Sequence, residues 1–147
     1  MKVRLNHATA NPAALQAMMK LEGFIVTSGL DSKLYEFIKI RASQINGCAF
    51  CIDKHTRDLR KMGETEQRIY LLSAWREAPF YSDKEKAVLE LTEAVTRISE
   101  IGVPQDLYER VRAHVDEAEY VTIIMAINTI NAWNRIAIST GMFPAEE

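Results

Sequence analysis

The sequence predicts an all-α fold, a compact bundle of about seven helices. Three observations lead there. Apolar residues recur at three- and four-residue spacing along most of the chain, capping residues, Gly and Pro punctuate it, and no five-residue stretch alternates cleanly between turn signals. In order, Asn11-Pro12 reads as an N-cap followed by proline at the first helical position, with a helix running to about Gly29. A second helix starts near Asp31-Ser32 and ends at Gly47, a C′ glycine, with the stripe Leu34, Phe37, Ile38, Arg41 and Ile45. A third starts at the cysteines and ends at Gly63. Thr65 to Glu77 is a fourth, stopped by Pro79. Ser82 and Glu85 form a capping box that opens a fifth, ending near Gly102. Pro104 opens a short sixth, and Asp116 with Glu119 caps a long seventh that reaches about Thr140, before Gly141. Short connections favour antiparallel neighbours in one bundle, so residues 1–147 read as a single domain.

The last helix is apolar nearly all the way round, from Val121 through Ile138, which makes it either central or shared with a partner subunit. Its length approaches a membrane span, but Asn128, Asn131, Asn134 and Arg135 are too costly in hydrocarbon. The N-terminus has no apolar signal-type segment, so the expected compartment is the cytoplasm and no membrane partner is expected. Eighteen basic against twenty acidic side chains give a net charge of −2, which excludes a strongly basic nucleic-acid binder. Two cysteines are too few for a disulfide-stapled secreted fold. In a reducing compartment, Cys48 and Cys51 at CxxC spacing point instead to catalysis or metal binding.

Helical spacing carries the chemistry. Cys48, Cys51, Ile52, His55, Leu59 and Met62 form one stripe, while Asp53, Lys54, Arg57, Arg60 and Lys61 fall mostly on the other side. Two thiols and an imidazole therefore occupy the face expected to point inward. Cys48 follows Gly47 in the first turn, where free N–H groups and the helix dipole favour a thiolate. Cys51 is one turn before His55, within reach for proton exchange, and the two sulfurs are close enough to close a reversible disulfide. By the residues alone either sulfur can be the attacker, and the helix end favours Cys48. Two inert buried cysteines and a zinc site are the competing readings. Zinc suffers from ligand count: Cys48, Cys51 and His55 supply three, and His7 and His114 lie in unrelated contexts. Periodicity alone makes Glu36 a solvated glutamate. Trp75, Trp133 and Tyr81 read as core or interface, and Asn131, Asn134 and Arg135 as inter-subunit hydrogen-bonders in preference to substrate contacts.

The stretch Arg41-Ala-Ser-Gln-Ile-Asn-Gly-Cys48-Ala-Phe-Cys51-Ile-Asp-Lys-His55 resembles the core motif of the AhpD-like, carboxymuconolactone decarboxylase family. Gly63 to Arg68 and Ile130 to Arg135 look like the same branch, and the similarity extends over roughly Asn11 to Met142. The resemblance implies an all-helical, AhpD-like fold assembled as a homotrimer or homohexamer. It implies thiol-dependent reduction of an organic hydroperoxide or hydrogen peroxide, with electrons from a disulfide reductase or thiol donor protein. No cofactor or metal is implied beyond a redox-active Cys48–Cys51 disulfide. Carried over by motif, Cys51 attacks the peroxide, Cys48 resolves, and Glu36 (twelve residues before Cys48) forms a proton relay with His55. Phe50 stands where the best-characterised members have a second histidine. That departure keeps a disulfide-exchange carrier or sensor as an alternative, and the family's other branch adds a lactone decarboxylase-like enzyme.

Overall fold

The computed structural model describes residues 1–147 and contains helices and no strand. An unanticipated first turn, α1 (His7–Ala10), is capped by Asn6, whose Oδ1 accepts the N–H groups of Ala8 and Thr9. The next three helices form as expected: α2 (Pro12–Thr27) under Asn11, α3 (Ser32–Asn46) under Asp31, and α4 (Ala49–Lys61) under Cys48. The expected helix from Thr65 to Glu77 forms only as α5 (Glu66–Tyr70), followed by a 3₁₀ turn at Leu72–Ala74. The reason is periodicity. Ile69, Leu72, Trp75 and Ala78 are all buried at strict three-residue spacing, which 3₁₀-like winding keeps on one side and an α-helix would rotate away.

The capping box at Ser82 and Glu85 opens α6 (Asp83–Thr96) with both reciprocal hydrogen bonds present. The chain breaks at Arg97 and resumes as α7 (Ile98–Ile101), so the expected fifth helix is two. From Arg97 to Ile101 every residue is exposed, Ile98 and Ile101 included, so nothing packs a continuation in place. Helices α8 (Gln105–Arg112) and α9 (Glu117–Thr140) complete the fold, with Gly141 ending α9 at φ 76°. Gly141 is doubly constrained: a Cβ there would lie 3.1 Å from the carbonyl oxygen of Lys2, because the N-terminal segment runs back to bond Thr140. Nine helices thus replace the expected seven within the same all-α class.

The central element is α3, not the apolar α9. Leu34 through Ile40, with Ala42 and Ser43, are buried around the full circumference of α3, which packs against α4, α6 and α9. Helix α9 buries Ile123, Ile127 and Ile130 on one side and leaves Val121 and Ile138 exposed on the other. One apolar cluster joins α3, α6, α8 and α9 around Ile38, Leu91 and Ile127, and a second joins α3 to α4 and the 3₁₀ turn around Phe37, Leu59 and Leu72. Each such side chain contributes on the order of 1.5–3 kcal/mol by leaving water.

A buried polar cluster fixes how α3 meets α9. Asn134, fully buried, donates to Ser43 Oγ at 2.9 Å and accepts from Asn46 Nδ2 at 2.9 Å. Asn131 accepts from Asn46 and donates to Thr96 Oγ1 and to the carbonyl of Ile127. The asparagines expected to bond a neighbouring subunit are therefore satisfied within the chain. No helix is long and apolar enough to cross a membrane.

Candidate active site

The site is built on the turn between α3 and α4. Gly47 takes φ 71° and closes α3, and the Cys48 N–H returns to the carbonyl of Ser43 at 3.0 Å. Ser43 is itself held by Asn134 and donates to the Lys39 carbonyl, so the polar cluster behind α3 sets where Cys48 emerges. Cys48 is the N-cap of α4, and its Sγ accepts the Cys51 N–H at 3.3 Å. Cys48 and Cys51 are joined in a disulfide with Cα atoms 5.3 Å apart.

The two cysteines differ in what they face. Both are buried, Cys48 at 1% and Cys51 at 4% exposure, and the pair packs with Ala137, Phe50 and Met142. Cys51 lines a cleft of about 470 Å³ between α2, α3, α4 and α9. Met19, Val26, Phe50, Trp133 and Met142 make its apolar wall, and Lys39, His55 and Asp58 make part of its polar wall. His55 lies one turn after Cys51 on the buried face of α4, as the stripe predicts. Leu59 continues that face into the core, while Met62 is exposed beyond the helix end.

Glu36 is buried, not solvated as periodicity suggests, because α3 packs on every side. Its Oε2 lies 3.2 Å from His55 Nδ1, and its Oε1 lies 2.6 Å from the Lys39 ammonium. Neither Oε2 nor Nδ1 completes an aligned hydrogen bond, with each other or with any other group. Asp58 Oδ2 lies 3.8 Å from the same ring nitrogen. Lys39 Nζ sits 4.0 Å from the centre of the Tyr35 ring. The Tyr35 hydroxyl donates to Glu22 Oε2, and Glu22 Oε1 accepts from Trp133 Nε1 at 2.8 Å. Burial first, and then the Glu22 carboxylate, push the Tyr35 phenol far above its ordinary range, so it stays a donor.

All four residues singled out by the sequence, Glu36, Cys48, Cys51 and His55, meet in this one region. Lys39, Glu22 and Tyr35 were not anticipated: no motif or spacing in the sequence singles them out. Asp58 had a usable signal, its spacing of three from His55 on one helix. His7 is also on the cleft wall, its ring 6.2 Å from that of Trp133, although nothing in its sequence context points there. Trp133, expected in core or interface, lines the cleft as well, whereas Trp75 and Tyr81 are core.

The oxygen and nitrogen atoms of Glu36, His55 and Asp58 lie within 4.8 Å of one another, close enough to hold a metal ion. Each carboxylate already faces an ammonium, however: Lys39 on Glu36 and Lys54 on Asp58 at 3.2 Å. That pairing makes the cluster an ion-pair network around the imidazole. Chemically, the arrangement offers a two-electron dithiol–disulfide couple with one accessible sulfur, an adjacent imidazole and a carboxylate behind it.

Comparison with known proteins places these features in a family context. The model of the carboxymuconolactone decarboxylase family matches residues 12–94. YdfG of Bacillus subtilis (strain 168), an uncharacterized protein, is 52% identical over 141 residues, covering 96% of each chain. The alkyl hydroperoxide reductase AhpD of Maricaulis maris is 34% identical over 68 residues, 45% of this chain and 39% of that protein. A solved structure from Agrobacterium tumefaciens, of a protein of unknown function provisionally assigned to antioxidant defence as AhpD, superposes with a TM-score of 0.95. It is 47% identical and covers 99% of this chain and 100% of its own.

Proposed function

The chain belongs to the carboxymuconolactone decarboxylase family, in its AhpD-like branch, and from that premise we propose that it is a thiol-dependent peroxidase reducing organic hydroperoxides or hydrogen peroxide. One observation carries the reading: a Cys48–Cys51 disulfide presents its outer sulfur to an apolar-walled cleft, one turn from an imidazole backed by a buried carboxylate.

In the reduced enzyme, His55 takes the Cys51 proton. The Cys51 thiolate attacks the terminal peroxide oxygen, the O–O bond breaks, and the alkoxide takes the proton back from His55 to leave as alcohol. Cys51 is now a sulfenic acid. Cys48 attacks Cys51 Sγ, the S–O bond breaks, and hydroxide leaves as water with the proton of the Cys48 thiol. The sum is dithiol plus ROOH giving disulfide, ROH and H2O. An external thiol donor protein or disulfide reductase returns two electrons and two protons. Its thiolate attacks at Cys51, the reachable sulfur. Cys48 then leaves as a thiolate that keeps the Cys51 N–H at the start of α4, where a low-pKa leaving group is favoured. The assignment of attack to Cys51 is thus supported by its place on the cleft wall, and that of leaving group to Cys48 by the helix end.

Phe50 on the cleft wall, in place of a second imidazole beside Cys51, favours one second reading: a disulfide-exchange carrier or sensor with little peroxide turnover. We read the chain as a cytoplasmic homotrimer or homohexamer, with the exposed apolar side of α9 at Val121 and Ile138 available to a neighbour.

Steady-state consumption of cumene hydroperoxide with a dithiol reductant tests the proposal. Enzymatic turnover that disappears in Cys51→Ser supports it. Turnover unchanged by that substitution refutes it, and rapid exchange with a protein disulfide at background peroxide turnover selects the carrier.

A further inference from the structure

We propose that Lys39 is a positioning residue of this site: its buried ammonium clamps one oxygen of Glu36 so that the other faces His55 Nδ1, leaving Nε2 as the proton acceptor for Cys51. The inference rests on the peroxidase reading and adds to it a residue that the motif does not contain.

Lys39 is only 7% exposed, in the wall of the cleft that Cys51 shares. Burying an ammonium costs several kcal/mol unless it is paired, roughly. A leucine or methionine would fill the same position on a helix whose other buried groups are mostly apolar. The charge has two partners, Glu36 Oε1 at 2.6 Å and the Tyr35 ring face at 4.0 Å, and Tyr35 is in turn fixed by Glu22. These contacts leave the ammonium little freedom, and through it the carboxylate. An ionised carboxylate only accepts, so the ring nitrogen that faces Glu36 Oε2 carries the proton and Nε2 stays free. The contact is unaligned in the disulfide form, so its direction depends on what holds Glu36. Without Lys39, Oε1 loses its partner, the carboxylate turns, and the imidazole is released to either tautomer.

The test has a structural and a kinetic arm. In the oxidised protein, ¹⁵N NMR of the His55 ring should show the Nδ1–H tautomer. Lys39→Met should convert it to a mixture dominated by Nε2–H, and Lys39→Arg should restore it. Peroxide kcat/KM should fall about tenfold or more in Lys39→Met, with recovery in Lys39→Arg. Because Lys39 acts through Glu36, the double variant Lys39→Met/Glu36→Gln should be no slower than Glu36→Gln alone. An unchanged tautomer in Lys39→Met, or a further loss in the double variant, overturns the proposal. If Lys39→Met does not fold, Lys39→Gln carries the same comparison with the same expected and contrary results. The tautomer is read without peroxide, so failure of the peroxidase reading leaves this arm decisive on its own.

Discussion

Replacing Asn134 by alanine should cost about 2–4 kcal/mol of stability. Asn134 is fully buried and makes two hydrogen bonds of 2.9 Å, one to Ser43 and one from Asn46. Each contributes about 1 kcal/mol net, and the void left by the amide adds roughly another 1 kcal/mol. The groups left behind are only partly stranded. Ser43 Oγ still donates to the Lys39 carbonyl at 2.6 Å, and Asn46 Nδ2 still reaches Asn131 Oδ1 at 2.9 Å. That keeps the loss below the cost of two orphaned buried groups. For a chain of this size the melting temperature should fall by about 5–15 °C. Urea unfolding of the oxidised protein gives the free energy. Asn46→Ala should cost about 1–2 kcal/mol, and the double variant should cost less than the sum because one bond is shared. A loss under about 0.5 kcal/mol for Asn134→Ala, or strict additivity in the double variant, refutes the reasoning that this cluster holds α3 to α9.

Three further outcomes follow from the same geometry. Arg68 bonds Glu64, Glu85 and the Phe80 carbonyl and lies 5.0 Å from the Phe37 and Tyr81 ring centres, so Arg68→Lys should still lose about 1–3 kcal/mol in urea unfolding, because an ammonium cannot make that fork. Burial raises the Glu93 carboxyl, but hydrogen bonds from Trp75, Arg76 and Arg41 outweigh it and hold the group below the ordinary glutamate range. The resulting stability is present above the unfolded value of about 4.3 and is lost as pH falls through the folded value, so Glu93→Gln should flatten the acid limb of a stability–pH curve. Gly141→Ala should destabilise by about 1–2 kcal/mol from its positive φ alone and more from the approach of Lys2 and Arg4, whereas Gly47→Ala, at φ 71° with open space around it, should show only the backbone cost; thermal melts of the two variants measure the difference.

Element starts were legible because each is written in short side chains that cap their own backbone: Asn11, Asp31, Ser82 with Glu85, and Asp116. The ends at Gly47 and Gly141 were legible for the same local reason. What periodicity missed were choices made by tertiary packing. It made the apolar α9 either central or shared with a partner, but the helix buried on every side is α3, where Glu36 and Lys39 neutralise each other and so tolerate burial. A single polar residue scored alone looks exposed; only the pair at three-residue spacing makes an internal salt bridge. Cys48, Cys51 and His55 were legible because one helix face carries them all. Glu22, Tyr35, Trp133 and His7 were not, because three separate helices and the α1 turn contribute them and no local spacing links them.

The central claim, that Cys51 attacks peroxide and Cys48 resolves it, is tested most directly by mass mapping of the reduced protein after one equivalent of cumene hydroperoxide. Wild type should show the Cys48–Cys51 disulfide, Cys48→Ser a trapped sulfenic acid on Cys51, and Cys51→Ser no oxidation on the same timescale. A sulfenic acid on Cys48 in Cys51→Ser, formed as fast as that on Cys51 in Cys48→Ser, would contradict the account.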